Sequence, residues 1–177
     1  FEPRLTLDLP PSPEDVVVMD VDADGWRDIV VALAGQSGLL IRYGSPRGDF
    51  NRGRTIPVPL APHRLLPVDL DGDAVPELVV YSIGSPLILL YGASEDGGLG
   101  LRATLENGWS VTDVAVADLD GDGDCDLVGA TGEVGRLTLY RNDGTGLFVP
   151  WAAVSAGGAA DEVEAGPLVS GGSAALV

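Results

Sequence analysis

The sequence predicts an all-β fold, a β-propeller built of four-stranded antiparallel blades, and three observations carry that prediction. A loop of the pattern Asp-x-Asp-x-Asp-x-x-x-Asp/Glu occurs three times, beginning at Asp20, Asp69 and Asp118, so the period is 49 residues. Each period holds about four short apolar runs separated by Gly, Pro and Ser. No segment of about ten residues or more carries helical spacing. Repeats of about 40 to 50 residues with four strands are those of propeller blades, whereas leucine-rich and hexapeptide solenoids repeat at much shorter intervals.

In chain order, strands are expected at 16–19, 29–33, 39–41 and 55–58, with the first acidic loop between the first two. The runs 78–80 and 127–128 follow the later loops as 29–31 follows the first, and Tyr43, Tyr91 and Tyr140 recur at steps of 48 and 49. Phe1 falls on Phe50 in this register, so the chain starts in mid-repeat. Its 177 residues supply three full blades plus partial repeats at both ends. The stretch 167–175 aligns with the acidic loops but has no carboxylate, and is expected to bind no metal. Residues 1–177 then form a single propeller domain or a fragment of one. In one arrangement a strand near 5–9 joins the C-terminal partial unit to complete a fourth blade.

A 45% hydrophobic content is ample for a packed core. With 27 acidic against 10 basic residues the formal charge is -17, which repels nucleic acid and anionic membrane surfaces. No run approaches the roughly 20 apolar residues that span a bilayer, so direct membrane insertion is not expected. Cys125 is the single cysteine, which excludes a disulfide within the chain.

Carboxylates at alternate positions of a tight loop can converge on one hard cation such as Ca²⁺, which takes six to eight oxygens at about 2.3 to 2.6 Å. Positions 1, 3, 5 and 9 supply Asp20, Asp22, Asp24 and Asp28; Asp69, Asp71, Asp73 and Glu77; and Asp118, Asp120, Asp122 and Asp126. Position 7 offers a backbone carbonyl from Trp26, Val75 or Asp124. Gly25 and Gly123 permit the sharp turn at position 6, where the second loop has Ala74; that loop is expected to be strained and weaker, with Glu77 reaching further in compensation. An EF-hand would need a bidentate Glu at position 12, where Val31, Val80 and Gly129 stand. Turns alone favour Asp and Gly, but three loops in register hold 13 of the 27 acidic residues. Such crowding calls for cations, and three Ca²⁺ ions would bring -17 to -11.

These residues resemble the FG-GAP repeat family, related to VCBS-type repeats and to the propeller head of integrin α chains. The resemblance rests on 68–73, on 117–124 and on the strand and turn 139–148, and covers nearly the whole chain. It implies that the loops sit between the first two strands of each blade and that the ion stiffens the blade without performing chemistry.

Several other residues have simpler roles beside a functional one. Arg47-Gly48-Asp49 spells an adhesion tripeptide but reads first as a hairpin turn. Arg42, Arg47, Arg52 and Arg54 form either a patch for an acidic partner or, preferably, a solvated strand face. His63 reads as a connector residue, and Cys125, beside five carboxylates, as a packed and unreactive thiol. Trp26, Trp109 and Trp151 read as core or inter-blade packing ahead of a sugar-stacking platform. The expected function is a non-enzymatic, calcium-dependent interaction or adhesion scaffold for a protein or glycan, placed outside the cell, at its surface or in the periplasm. The alternatives are the propeller portion of a secreted polysaccharide-degrading or other hydrolytic enzyme, for which Glu95, Glu106 and Glu133 form no paired motif, and a structural subunit of a larger chain or assembly.

Overall fold

The computed structural model describes residues 6–132, 134–166 and 175–176. Three four-stranded antiparallel sheets follow one another as meanders. The first blade is β1 (Pro13–Met19), β2 (Asp28–Leu33), β3 (Gly38–Tyr43) and β4 (Arg52–Pro57). The second is β5 (Arg64–Val68), β6 (Glu77–Tyr81), β7 (Leu87–Ser94) and β8 (Gly98–Glu106). The third is β9 (Asp113–Ala117), β10 (Asp126–Thr131), β11 (Arg136–Asn142) and β12 (Phe148–Ser155). The one helical element among the described residues is a 3-10 turn at Ala34–Gln36, and none of their helices is long and apolar enough to cross a membrane.

The two inner strands of the first and second blades, and β10 of the third, are buried on both faces, so they read as near-continuous apolar runs. One face of the first blade meets the second in a core of Val30, Ala32, Leu39 and Ile41 against Leu65, Leu78, Val80 and Leu89. The alternate residues Val79, Tyr81, Ile88 and Leu90 turn the other way and meet Val114, Leu127 and Tyr140 of the third blade. Each fully buried aliphatic side chain contributes roughly 1.5–3 kcal/mol, so the blade interfaces are where most of the stabilisation lies.

The tyrosines correct the expected register. Tyr91 and Tyr140 occupy equivalent places, paired with Leu78 and Leu127, but the partner of Ile29 is Arg42. The 48-residue step therefore puts Tyr43 on the opposite sheet face, towards the second blade, while Tyr91 and Tyr140 face the preceding one. The tryptophans also depart from expectation, being 45%, 50% and 48% exposed at Trp26, Trp109 and Trp151. Two lie in loops and Trp151 on β12, the blade's outer strand, where a sheet has no neighbour to cover it.

A fourth unit begins in register. β13 (Ala165–Gly166) pairs with β14 (Ala175–Leu176), and Gly166↔Ala175 repeats the pairs Met19↔Asp28, Val68↔Glu77 and Ala117↔Asp126 at successive 49-residue steps. The carboxylate-free stretch 167–174 lies outside the described residues, as do Phe1 and Glu133. Residues 6–10 form no strand, so what is described of the 5–9 segment does not complete a fourth blade. The first strands are latched to the following unit by carboxylates: Asp15 Oδ2 accepts the Leu65 N–H at 2.9 Å, and Asp113 Oδ2 accepts that of Val163 at 3.0 Å, the same bond two repeats later.

Candidate metal loops

Each acidic loop connects the first and second strands of its blade, at the same end of all three. Two features fold it. The residue at position 2 is apolar and plugs into a core: Val21 and Leu70 are buried, and Leu119 packs on the cluster formed by the third blade with Ala160 and Val163. The carboxylate at position 9 then accepts that residue's N–H, Asp28 from Val21 at 2.8 Å, Glu77 from Leu70 and Asp126 from Leu119 at 2.9 Å. Further carboxylate bonds curl the loop. Position 1 accepts the N–H of position 6 (Asp20 from Gly25, Asp69 from Ala74, Asp118 from Gly123) at 2.9 to 3.0 Å. Position 5 accepts the N–H of position 7 (Asp24 from Trp26, Asp73 from Val75, Asp122 from Asp124) at 2.7 to 3.0 Å.

The result in each loop is a set of carboxylate oxygens within 4.8 Å of one another: Asp20, Asp22 and Asp28; Asp69, Asp71 and Glu77; Asp118, Asp120 and Asp122. Positions 1 and 3 converge in all three. Asp24 and Asp73 stand outside their clusters, and Asp126 outside the third, where its two oxygens serve the N–H groups of Leu119 and Asn142.

The donor set fits calcium. It is oxygen only, suited to a hard cation, and Asp20 Oδ1 is buried without a hydrogen-bond partner, a costly condition unless a cation meets it. Like charges also crowd: burial, then Asp28 and Asp24, push the Asp22 carboxyl up. Burial followed by Asp71 and Asp73 does the same to Glu77, against the bond from Leu70 that holds it down. The nearest guanidinium groups stand at ion-pair limits, Arg52 at 3.9 Å from Asp22 and Arg141 at 3.7 Å from Asp120.

Backbone strain is shared differently from the sequence expectation. Ala74 does adopt a left-handed φ of 67° at position 6, but Ala23 adopts 58° at position 4, where the other loops have Gly72 and Gly121. The first and second loops thus each hold one strained alanine and the third holds none. Requiring glycine at position 6 alone misses the second demand.

The remaining candidates fall around the loops. Arg47 and Gly48 are exposed in a turn closed by the Gly48 N–H on the Ser45 carbonyl, as the hairpin reading expects. The arginines are not a plain solvated face: Arg52 lies over the Tyr43 ring at 5.1 Å, and Arg54 forms a two-pronged pair with Asp96 of the next blade at 2.6 and 3.2 Å. His63 Nδ1 lies 2.9 Å from both the Ala61 carbonyl and Ser82 Oγ, a satisfied connector. Cys125 is half-buried, and burial, then Asp118 and Asp126, push its thiol up, away from thiolate chemistry.

Two solved structures share the fold. A chain of the crystal structure of BBS1N in complex with ARL6DN, soaked with lead, matches at TM-score 0.63 and 16% identity over 90% of this chain. A chain of the Photorhabdus luminescens Tc holotoxin pore matches at TM-score 0.53 and 24% identity over 94% of it. This chain spans 49% of the first and 8% of the second. No curated protein matches the chain. The FG-GAP-like repeat matches three times, at residues 20–80, 69–129 and 118–168, each match opening on the first aspartate of an acidic loop. With three overlapping matches running from Asp20 to Leu168, the chain belongs to the FG-GAP-like repeat family.

Proposed function

We propose that the chain is a calcium-stabilised, non-enzymatic scaffold whose exposed loops and blade rims bind a protein or glycan partner outside the cell, at its surface or in the periplasm. The observation that carries the metal part is the unpartnered, buried Asp20 Oδ1 within one of three carboxylate clusters on corresponding loops. Asp20, Asp22 and Asp28 would hold the first ion, Asp69, Asp71 and Glu77 the second, and Asp118, Asp120 and Asp122 the third. The ion would supply charge neutralisation and cross-linking of the loop. Calcium at extracellular levels fills sites with dissociation constants of roughly 0.1 to 1 mM, which fits a setting outside the cell. Half-exposed Trp26, Trp109 and Trp151 are contact groups suited to an apolar or sugar surface.

Thermal melting with calcium titrated against EDTA tests the metal reading. A ligand of the native state raises stability with concentration, so the melt should climb with calcium, and less so in Asp22→Ala, Asp71→Ala and Asp120→Ala. An unchanged melt overturns the reading. A panel of soluble polysaccharides and proteins, screened in calcium and in EDTA, tests the scaffold: calcium-dependent retention without turnover is expected, and turnover of any polysaccharide would make the chain an enzyme.

A further inference from the structure

The second and third acidic loops are joined by one side chain. Asn142, 1% exposed, stands at the end of β11 with every polar group of its amide engaged. Its Nδ2 donates to the Leu70 carbonyl of the second loop at 2.6 Å and to the Cys125 carbonyl of the third at 3.1 Å. Its Oδ1 accepts the N–H groups of Gly144 and Gly146 at 3.2 and 3.1 Å, and its own N–H reaches Asp126 Oδ1 at 2.9 Å. Leu70 in turn donates its N–H to Glu77 Oε2. An unbroken set of hydrogen bonds thus runs from the position-9 carboxylate of the second loop, through Leu70 and Asn142, to that of the third.

A close approach of the chain accompanies the link. The turn that Asn142 organises places Gly146 where a side chain would touch the Asp71 Cβ at 3.8 Å. Gly97, one repeat earlier, faces Asp22 in the same way at 3.6 Å. The first and second loops are thus each approached by a turn of the next blade, but only the third blade adds the amide. In the first blade the place of Asn142 is held by Gly44, whose N–H makes the same bond to Asp28 Oδ1 at 2.8 Å without a side chain to reach further. In the second it is held by Ala93, which is exposed and offers no side-chain donor. The first and second loops therefore lack the amide bridge that joins the second and third.

We infer that Asn142 couples cation binding at the second and third loops, so that filling one favours the other, while the first loop responds more independently. The inference rests on the calcium reading of the loops. An ion held by Glu77 and Asp71 would fix Leu70 and the turn at Gly146; both are held by Asn142, whose N–H orients Asp126, the carboxylate that in turn accepts the N–H of Leu119 between the third site's Asp118 and Asp120. Ordering the network once lowers the cost of ordering it for the second ion. The amide is buried and fully bonded, so it has no alternative partner in water to blunt the effect.

Amide NMR of the full chain during calcium titration separates the sites, because the N–H groups of Gly25, Gly72 and Gly121 each bond to a position-1 aspartate. Disabling the second loop by Asp71→Asn should raise the midpoint read at Gly121 by about 5-fold or more, the lower range of such couplings. The midpoint at Gly25 should move less, and that movement reports the through-space charge effect. In an Asn142→Ala background the Gly121 shift should fall to the Gly25 level; Asn142→Asp, which keeps the acceptor and the shape but not the Nδ2 donors, should act alike if alanine prevents folding. An equal Gly121 shift with and without Asn142 overturns the coupling while leaving calcium binding intact, as does a Gly121 midpoint that ignores Asp71→Asn. If no loop amide responds to calcium, the metal reading itself falls, and the coupling with it.

Discussion

The position-9 carboxylate should hold the chain together even when no ion is present, unlike its neighbours in the same cluster. Asp28 is fully buried and accepts the Val21 and Gly44 N–H groups at 2.8 Å each. Asp22 accepts a single long bond from the exposed Asp24 N–H at 3.3 Å. Asp28→Ala and Asp22→Ala each remove one negative charge from the same cluster, so to first approximation the relief of repulsion cancels when they are compared. What remains is two buried donors left without partners, at about 1–3 kcal/mol each, so in EDTA Asp28→Ala should be less stable than Asp22→Ala by roughly 2–6 kcal/mol. For a domain of this size that is about 4–24 °C in melting temperature. Melts followed by circular dichroism in EDTA give the difference directly. In saturating calcium Asp22→Ala should also fall, because it loses a ligand, by about 2.7 kcal/mol where the parent site was held at 100 times its dissociation constant. Two variants within about 1 kcal/mol of each other in EDTA would refute the argument, since the hydrogen bonds at Asp28 would then be contributing nothing.

Relieving left-handed strain should stabilise the chain: Ala23→Gly and Ala74→Gly are each expected to gain on the order of 0.5–1 kcal/mol, and Gly123→Ala, at a φ of 100°, to lose at least as much; chemical denaturation checks all three. Calcium-free stability should depend on pH through the carboxyls that burial and like charges push up, Asp22, Glu77 and Asp120. Their folded values lie above the unfolded ones, so their contribution is complete below the ordinary carboxylate range and is lost as pH rises through the folded values. In EDTA the part of stability due to these groups should therefore improve as pH falls from neutrality through the folded values, while in calcium acid should destabilise, because protons displace the ion; melts in both series decide it. Tyr81→Phe should cost about 1–3 kcal/mol, since the Tyr81 hydroxyl donates at 2.7 Å to Asp113, the carboxylate that also latches Val163; equilibrium unfolding measures it.

Much of this was written in the chain because a repeat averages out local ambiguity. One Asp-rich turn says little, but three at a fixed spacing place the strands on either side and identify positions 1 and 3 as converging oxygens. The pairing of Gly166 with Ala175 falls at the 49-residue steps that relate Met19 and Asp28 to their later counterparts. What the sequence concealed depends on contacts between repeats. Spacing treated the position-5 carboxylates as equal, whereas Asp24 and Asp73 stand outside their clusters while Asp122 joins its own. Tyr43 lay one residue off the register of the other tyrosines, a slip that reverses its face because side chains alternate along a strand. Asn142 stood in plain view within a turn sequence, but its partner Leu70 is 72 residues away. Local pattern carries no record of such a pair.

The same geometry explains why a chain of charge -17 would concentrate carboxylates at its loops instead of spreading them over its surface. Each loop has an apolar foot, at Val21, Leu70 or Leu119, set into an inter-blade core, and an acidic crown that repels itself. The position-9 carboxylate ties the two by bonding the foot's own N–H. A cation drawing the crown together would therefore tighten the part of the loop already embedded in the core between blades. Stability gained at the surface would then be transmitted to the interface that sets how one blade sits on the next. The amide of Asn142, spanning two such loops, extends that linkage from within a blade to between blades. A rigid rim that assembles only where calcium is plentiful would be a direct consequence.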